Sequence, residues 1–538
     1  MLKYFTRGGQ VSMHRLRMFT QILKTIIIVG ILSSLTYLVV RLYVFVSWGD
    51  MVVLKDYFYY ELTNSMGLPE AISQDNMKDL EAKSYNTWLI VRESLVKSIL
   101  IGIVGVIATF LYFTLRGRSQ SKVQEKRGAS LVSSSTLRKM LIKKRIASDL
   151  YIEDVPLLKD KETSHILITG TTGSGKSNCM KSLLPQVRER GDKALVVDLT
   201  GELVDRFYDP DRDILLDPLS ESFPGWSPWE ECMNDAQIDS MVEAIVATDE
   251  TASDKFWDRS SQIVLGAALR KLQDDESPNK LEKLYKTITQ SSPKEYEDFF
   301  EGTEAASMAE QKGEKTTTSI RTNLTSQIRC LRVLKDTPSP FSFRNWICDE
   351  SERGWCFIRV SADQRTSLRP LLSTWVNISV NSLMTLIPDS KRRVWFMIDE
   401  LPALQRLPSL ETALAESRKY GGCILAGIQS MPQLNTVYGP SVSRSLLDLF
   451  NTKIFFRNND PDTVQWISRV MGEVETKELQ ESLSYGANTV RDGVNISSST
   501  KRDPVVLPSD IAGLKDLECY LRYPSDVPGT RTKMQFFS

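Results

Sequence analysis

The 538-residue sequence predicts an α/β protein: a phosphate-binding domain on a parallel sheet, interrupted by an all-helical insert and preceded by two transmembrane helices. Three observations predict it. The octapeptide Gly170-Thr171-Thr172-Gly173-Ser174-Gly175-Lys176-Ser177 closes the apolar run Ile166 to Ile168 and opens a helix-like stretch, as a phosphate-cradling loop does. Short apolar runs alternate with helical stretches on both sides of a long segment of purely helical spacing. Two long apolar segments lie near the N-terminus.

The apolar segments are Thr25 to Val46, interrupted by Arg41, and Ser98 to Leu115, uncharged throughout. Each is long enough to span a bilayer, and Arg41 is expected to snorkel toward the headgroups from a helix end. A cleaved signal peptide is disfavoured, because a charged residue precedes each segment and no small-residue cleavage site follows the first. Lys3, Arg7, Arg15, Arg17 and Lys24 precede the first span without an acid, and Arg116, Arg118, Lys122, Lys126 and Arg127 follow the second. Positive flanks stay cytoplasmic, so the acid-rich stretch Trp48 to Lys97 is expected outside, as a loop or small domain.

From Val123 to Asp149 the chain is basic, with Arg138, Lys139, Lys143, Lys144 and Arg145 before the first strand. It reads as a connector; contact with anionic lipid or DNA phosphate and plain solvation are both open. After the phosphate loop a helix is expected to run to Arg190, with Gly191 as C-cap and Pro185 as a kink or early end. The runs Ala194 to Asp198, Cys356 to Val360, Val394 to Ile398, Cys423 to Gly427 and Lys453 to Phe456 read as buried strands of a parallel sheet covered by helices. Between Pro228 and Thr337 apolar residues recur at helical spacing, with stripes Trp257, Val264, Ala268, Leu272 and Ile320, Leu324, Ile328, Leu331. Phe223 to Trp229 marks the entry to this insert and Pro338-Ser339-Pro340 its exit. The entry tryptophans could stack on nucleobases, although aromatics beside prolines more often pack a domain junction.

The 67 basic and 67 acidic residues cancel, so net charge neither indicates nor excludes a nucleic-acid partner. Seven cysteines without a C-x-x-C pair indicate reduced thiols rather than a disulfide frame or zinc site, and two histidines leave little room for histidine-based metal or catalytic chemistry.

Chemistry requires a second motif beside the phosphate loop. In the loop the glycines let backbone N–H groups face phosphate oxygens, Lys176 adds charge at the terminal phosphates, and Ser177 holds Mg2+. The strand Val394 to Ile398 ends in Asp399-Glu400: Asp399 is placed to hold Mg2+ and Glu400 to polarise the attacking water. Asp198 also ends an apolar strand but lacks an adjacent glutamate, and ranks second. Arg418, before the strand Cys423 to Gly427, could be an arginine finger reaching a neighbouring subunit. Gln429, just after that strand, could sense phosphate or water. By position alone each also fits an ordinary helix-end or strand-end polar residue.

The chain resembles the conjugative coupling proteins of bacterial type IV secretion, most nearly the F-type plasmid TraD family, across nearly its whole length. The resemblance rests on Thr6-Arg7-Gly8-Gly9-Gln10 with Met13, Arg15, Arg17, Met18 and Phe19; on Gly170 to Ser177; on Val394-Trp395-Phe396 with Asp399-Glu400-Leu401-Pro402; on Arg418 to Gly422; on Gly427-Ile428-Gln429-Ser430; and on Ser484 to Ala487 followed by Val490 to Val494. It implies a RecA-like P-loop NTPase domain with an inserted all-α domain and two transmembrane helices. It further implies an ATPase using ATP and Mg2+, a homo-hexameric ring in the inner membrane, and DNA, relaxase and relaxosome proteins, and secretion-channel components as partners. Arg418 becomes the finger acting in trans and Gln429 the phosphate sensor. The expected organisation is a cytoplasmic 1–24, spans at 25–47 and 98–115 around a periplasmic 48–97, a basic linker 116–150, nucleotide-binding parts at 151–228 and 338–538, and the all-α domain at 229–337. F-type members carry a long polar C-terminal tail for docking; this chain reaches Ser538 soon after its last strand candidate, so tail-mediated docking is not carried over.

Other classes fit less well. An FtsK-type translocase would bring more spans and a C-terminal winged helix, neither of which is evident, and an ABC subunit would need a Leu-Ser-Gly-Gly-Gln string, which is absent. A nucleotide-gated recruiting platform that does not pump shares all these motifs and differs only in lacking DNA-stimulated turnover.

Overall fold

A computed structural model describes residues 9–67, 74–120, 124–248, 255–310, 314–484 and 493–537. Thr6 to Gly8 of the N-terminal motif and Tyr485 to Asp492 of the late motif lie outside the described residues; the late stretch is flanked by strands Glu473–Ser484 and Gly493–Pro504. The chain divides into two units, 1–124 with 477–500 and 125–476 with 501–538.

In the first unit, helices α1 (Gly9–Phe45), α2 (Trp48–Ser65) and α3 (Gln74–Gln120) follow one another. The stretches Leu16–Phe45 and Lys78–Arg116 are long and apolar enough to cross a membrane. The segment expected as an outer loop is mostly helix. Ser47 opens α2 with a capping box to Asp50, and no glycine or proline interrupts 74–97, where Asp79–Lys83 and Glu93–Lys97 pair one turn apart. The segment 98–115 is therefore the later part of a longer helix. Arg41 pairs with Glu93 of α3, Nη2 to Oε1 at 3.4 Å, as well as lying near a helix end. α1 and α3 meet backbone to backbone through small residues: a Cβ on Gly102 would lie 3.0 Å from the Gly30 carbonyl oxygen and 3.1 Å from Ser34 Cβ.

In the second unit the described residues form a ten-stranded sheet. Its strands in chain order are β1 (Leu131–Ser133), β2 (Ile166–Thr169), β3 (Lys193–Asp198), β4 (Ile214–Leu216) and β5 (Cys356–Arg359). They continue with β6 (Val394–Ile398), β7 (Gly422–Ile428), β8 (Thr452–Phe455), β9 (Glu518–Arg522) and β10 (Gly529–Lys533). The spatial order is β1-β10-β9-β8-β2-β7-β6-β3-β5-β4. From β8 to β4 every pairing is parallel, while β9 and β10 return antiparallel. The central strands β2, β3, β6 and β7 are buried along their whole length, which is why they read as continuous apolar runs rather than alternating ones.

α4 (Lys176–Glu189) leaves the phosphate loop and runs through Pro185 without ending there. Part of the expected basic connector belongs to the sheet domain. β1 pairs with β10, and helix Ser134–Lys143 buries Leu137 and Leu141 while its lysines face out. Amphipathic spacing hidden under a high lysine and arginine content explains why it read as a linker.

The insert holds α5 (Asp235–Ile245), α6 (Phe256–Lys271) and α7 (Glu314–Ile328) with shorter helices between. Val264, Ala268 and Leu272 pack with Ile320, Leu324, Ile328 and Leu331, whereas Trp257 stays partly exposed. Entry and exit are stitched together, since Phe341 N–H donates to Gly225 O at 3.1 Å. Trp226 is fully buried against Trp375, so stacking on a nucleobase is excluded for it. Glu231, 1% exposed, ties the neck: it accepts from Trp226 Nε1 (3.0 Å), Phe343 N (2.8 Å), Ser342 Oγ (3.2 Å) and Arg344 N (3.0 Å). The sheet domain then continues through α8 (Arg365–Met384), α9 (Leu410–Glu416) and α10 (Met431–Tyr438).

Because Glu231→Ala would leave the buried donors Trp226 Nε1, Phe343 N and Arg344 N without an acceptor, we expect it to lower unfolding stability by about 3 kcal/mol, read from the urea midpoint of the solubilised chain. Glu231→Gln keeps the shape and should cost less.

Candidate nucleotide site

Three neighbouring strands end at one edge of the sheet and build the site. β7 lies between β2 and β6, with Ile428 level with Thr169 and Ala426 level with Ile398. The phosphate loop after β2, Gln429 after β7 and Asp399-Glu400 after β6 are therefore brought together, as the strand ends of an open parallel sheet require.

The loop is held from below by backbone. Gly170 N–H donates to Ile428 O (3.2 Å) and Thr171 N–H to Arg457 O (2.9 Å). Within it, Ser174 Oγ donates to Thr171 O at 2.7 Å. Gly175 opens α4 at φ 123°, and a Cβ there would lie 2.8 Å from the Phe456 ring, so both conformation and space demand glycine. Thr172 and Gly173 lie at the turn's apex, between Thr171 and Ser174.

Lys176 is buried, and its Nζ donates to Gly170 O at 2.7 Å. Burial lowers its pKa, opposed by the carboxylates of Glu400 and Asp399. Ser177 Oγ donates to Asp399 Oδ1 at 3.4 Å, so the hydroxyl and the carboxylate face one another as two hard oxygen donors. Burial raises the Asp399 pKa, as does the charge of Asp198, while Lys176 and Ser177 pull it down. Glu400 is pushed up to about 7, first by burial, with Lys176 and the Gln429 side chain opposing. One of its oxygens, Oε1, is buried without a hydrogen-bond partner. A carboxylate so placed can take up a proton near neutrality.

The rival acid serves the backbone instead. Asp198 Oδ1 accepts from Thr200 N, Thr200 Oγ and Gly201 N, and Oδ2 accepts from Leu203 N and Val204 N. With both oxygens occupied and no exposure, it closes the turn after β3.

Arg418 is not beside these residues. It sits in the 3-10 turn Ser417–Tyr420 ahead of β7, exposed, while Gln429 follows the other end of that strand. Seven extended residues separate the two ends by roughly 20 Å, so within one chain Arg418 and the phosphate loop occupy opposite edges of the sheet. The turn is rigidly mounted. Gly421 adopts φ 84°, a Cβ there would meet Arg392 O at 2.2 Å, and Val394 N–H donates to Gly421 O at 3.0 Å. Behind it, buried His165 bridges α9 and β7: Nε2 faces Leu414 O at 3.0 Å and Nδ1 accepts from Ile424 N at 3.1 Å. Burial lowers the His165 pKa to about 4, which keeps it neutral at physiological pH.

Two supporting residues were not legible in the sequence. Fully buried Asn458 donates through Nδ2 to Gln429 O at 2.5 Å, fixing the backbone that carries Gln429. Arg369 donates through Nη2 to Pro402 O (3.2 Å) and Leu404 O (2.5 Å), fixing the loop after Glu400. Both act across long sequence separations, and neither belongs to a local motif.

Comparisons with known proteins give the family and the fold. A family model described as the type IV secretion-system coupling protein DNA-binding domain matches residues 149–535. Coupling protein TraD of Escherichia coli (strain K12) is 30% identical over 99% of this chain and 78% of its own length. Protein VirD4 of Agrobacterium fabrum is 25% identical over 35% of this chain and 28% of its own length. Among solved structures, the bacterial conjugative coupling protein TrwBdeltaN70 matches with a TM-score of 0.69 at 29% identity, over 78% of this chain and 94% of that one. TrwB has also been solved with the ATP analogue ADPNP and with ADP and Mg2+. The fold is accordingly that of a RecA-like P-loop NTPase domain carrying an all-α domain. On this shared sequence and fold, the chain belongs to the coupling proteins of type IV secretion systems.

Proposed function

We propose that the chain is an inner-membrane ATPase that links a relaxase-bound DNA complex to a type IV secretion channel and moves DNA during conjugation, working as a homo-hexameric ring. The observation that carries the reading is the single sheet edge where Lys176, Ser177, Asp399, Glu400 and Gln429 converge. The relatives are coupling proteins and the matched region is a DNA-binding domain, which supports DNA and a secretion apparatus as partners. Two apolar helices flanked by basic residues support a two-pass anchor with both termini cytoplasmic.

Gly170 to Ser177 wrap the phosphates of ATP, and Lys176 exchanges the Gly170 carbonyl for phosphate oxygens. Ser177 and Asp399 would hold Mg2+, a role that their facing hard oxygens fit. Bound there, Mg2+ supplies positive charge against the phosphate oxygens. Glu400 accepts the proton of the attacking water, and Gln429 beside it orients that water and reads the terminal phosphate. Arg418, at the far edge of its own sheet, completes the site of the next subunit in the ring. This placement favours action in trans, because no motion within the intact sheet closes the gap.

Since Glu400 works only when ionised and its pKa lies at about 7, kcat/KM should fall as pH drops through that value. Glu400→Gln should abolish turnover while retaining ATP binding, measured with a fluorescent nucleotide. A profile that stays flat from pH 6 to 8 would count against the proton-accepting role.

Lys176→Ala should abolish hydrolysis, and Arg418→Ala should cost roughly 10^3 to 10^5 in rate. Mixing the two variants should restore part of the activity at interfaces that unite an intact Lys176 site with an intact Arg418; no recovery at any ratio would argue for action within one chain. The test of the whole reading is ATPase turnover with and without DNA. A rate indifferent to DNA would leave a nucleotide-gated recruiting platform.

A further inference from the structure

A polar cleft of about 490 Å3 opens beside Glu400 and Gln429, and no residue of the phosphate loop is among its described lining residues. Its walls come from four places: Ala247, Thr248 and Gln327 of the insert, Arg369 of α8, the loop Pro402 to Arg406 after the acid strand, and Gln429 with α10 after it. Arg369, Gln405, Arg406, Gln429 and Gln433 line it, and Glu400 is the only acid among its described lining residues. Two guanidinium groups, four amide side chains and two hydroxyls line it, with Gln405 Nε2 and Arg369 Nη2 already bonded to backbone carbonyls, and among the described lining residues no aromatic side chain offers a stacking surface. That chemistry fits the phosphate oxygens of a polynucleotide and not its bases.

The cleft is also wired to the catalytic acid. Gln405 Nε2 donates to the carbonyls of Ala244 and Ile245 at the end of α5, while its backbone N–H is held by Ser373 Oγ at 3.0 Å. Arg369 grips Pro402 and Leu404 on the same loop, and its Nε is buried without a partner. Any shift of the insert relative to this loop therefore pulls on the segment immediately following Glu400.

We propose that this cleft receives the sugar–phosphate backbone of a DNA strand, and that Gln405 is the positioning residue that passes its arrival to Glu400. The proposal rests on the DNA-motor reading above and names where that motor feels its track. Binding is sequence-independent, and it couples an insert contact to the carboxylate that accepts the water's proton.

The test uses the full-length protein in detergent, with oligothymidylate and a DNA duplex as separate probes. Arg406→Ala and Gln433→Ala should lower the stimulation of ATPase by DNA, and Arg406→Ala should flatten the slope of log affinity against log salt by about one phosphate contact, which Arg406→Lys restores. Gln405→Ala should keep that slope yet lose most of the stimulation, a split that loss of structure would not produce. Fluorescent-nucleotide affinity and melting midpoint verify that each variant is folded; should Arg406→Ala fail to fold, Arg406→Gln and Gln433→Ala carry the comparison. If wild-type turnover ignores both DNA probes, the motor reading itself fails and this inference falls with it. If wild type responds but Arg406→Ala and Gln433→Ala match it in slope and stimulation, the inference alone is overturned. Equal stimulation by polyglutamate would assign the cleft to an acidic protein segment and also overturn it.

Discussion

The placement of one strand controls the whole molecule. β7 inserts between the phosphate-loop strand β2 and the acid strand β6, pairing parallel with both, so three chain segments far apart in sequence finish at one edge. Parallel pairing fixes direction as well as neighbourhood. The same strand that carries Gln429 at one end has Arg418 at the other, so the two residues are separated by the length of one strand.

Burial then tunes the groups gathered there. Lys176, Asp399 and Glu400 are all withdrawn from water, and each is shifted against its charged form by desolvation while its partners pull the other way. Burial pushes Glu400 up to about 7 and one of its oxygens lacks a hydrogen-bond partner, whereas the two oxygens of Asp198, at the end of the next strand, accept from five donors. Two carboxylates at equivalent strand ends thus acquire different roles from hydrogen bonding rather than from residue type.

The helical insert is joined to the sheet domain by a narrow neck and by the loop after Glu400. At the neck, Glu231 locks entry to exit, and Trp226 fills the gap between them. At the loop, Gln405 bonds α5 directly. One connection holds the insert in place and the other carries its movements to the site.

The amino-acid sequence by itself determined the features whose physics is local. A glycine-rich turn between an apolar strand and a helix, an acid pair closing a second apolar strand, apolar stripes at helical spacing and two uncharged or nearly uncharged spans are all properties of contiguous residues. They were enough to single out Gly170 to Ser177, Asp399-Glu400 and a helical segment between the strands. Tertiary structure alone decided the rest. It surrounded Asp198 with backbone donors, buried Trp226, folded the basic stretch around Ser134–Lys143 into the sheet domain, and set Arg418 at the end of its strand opposite the phosphate loop. It also recruited Asn458 and Arg369, which no motif announces. The reason is the same in each case: those outcomes depend on strand order and register, which are fixed by contacts between residues hundreds of positions apart and leave no periodic trace along the chain.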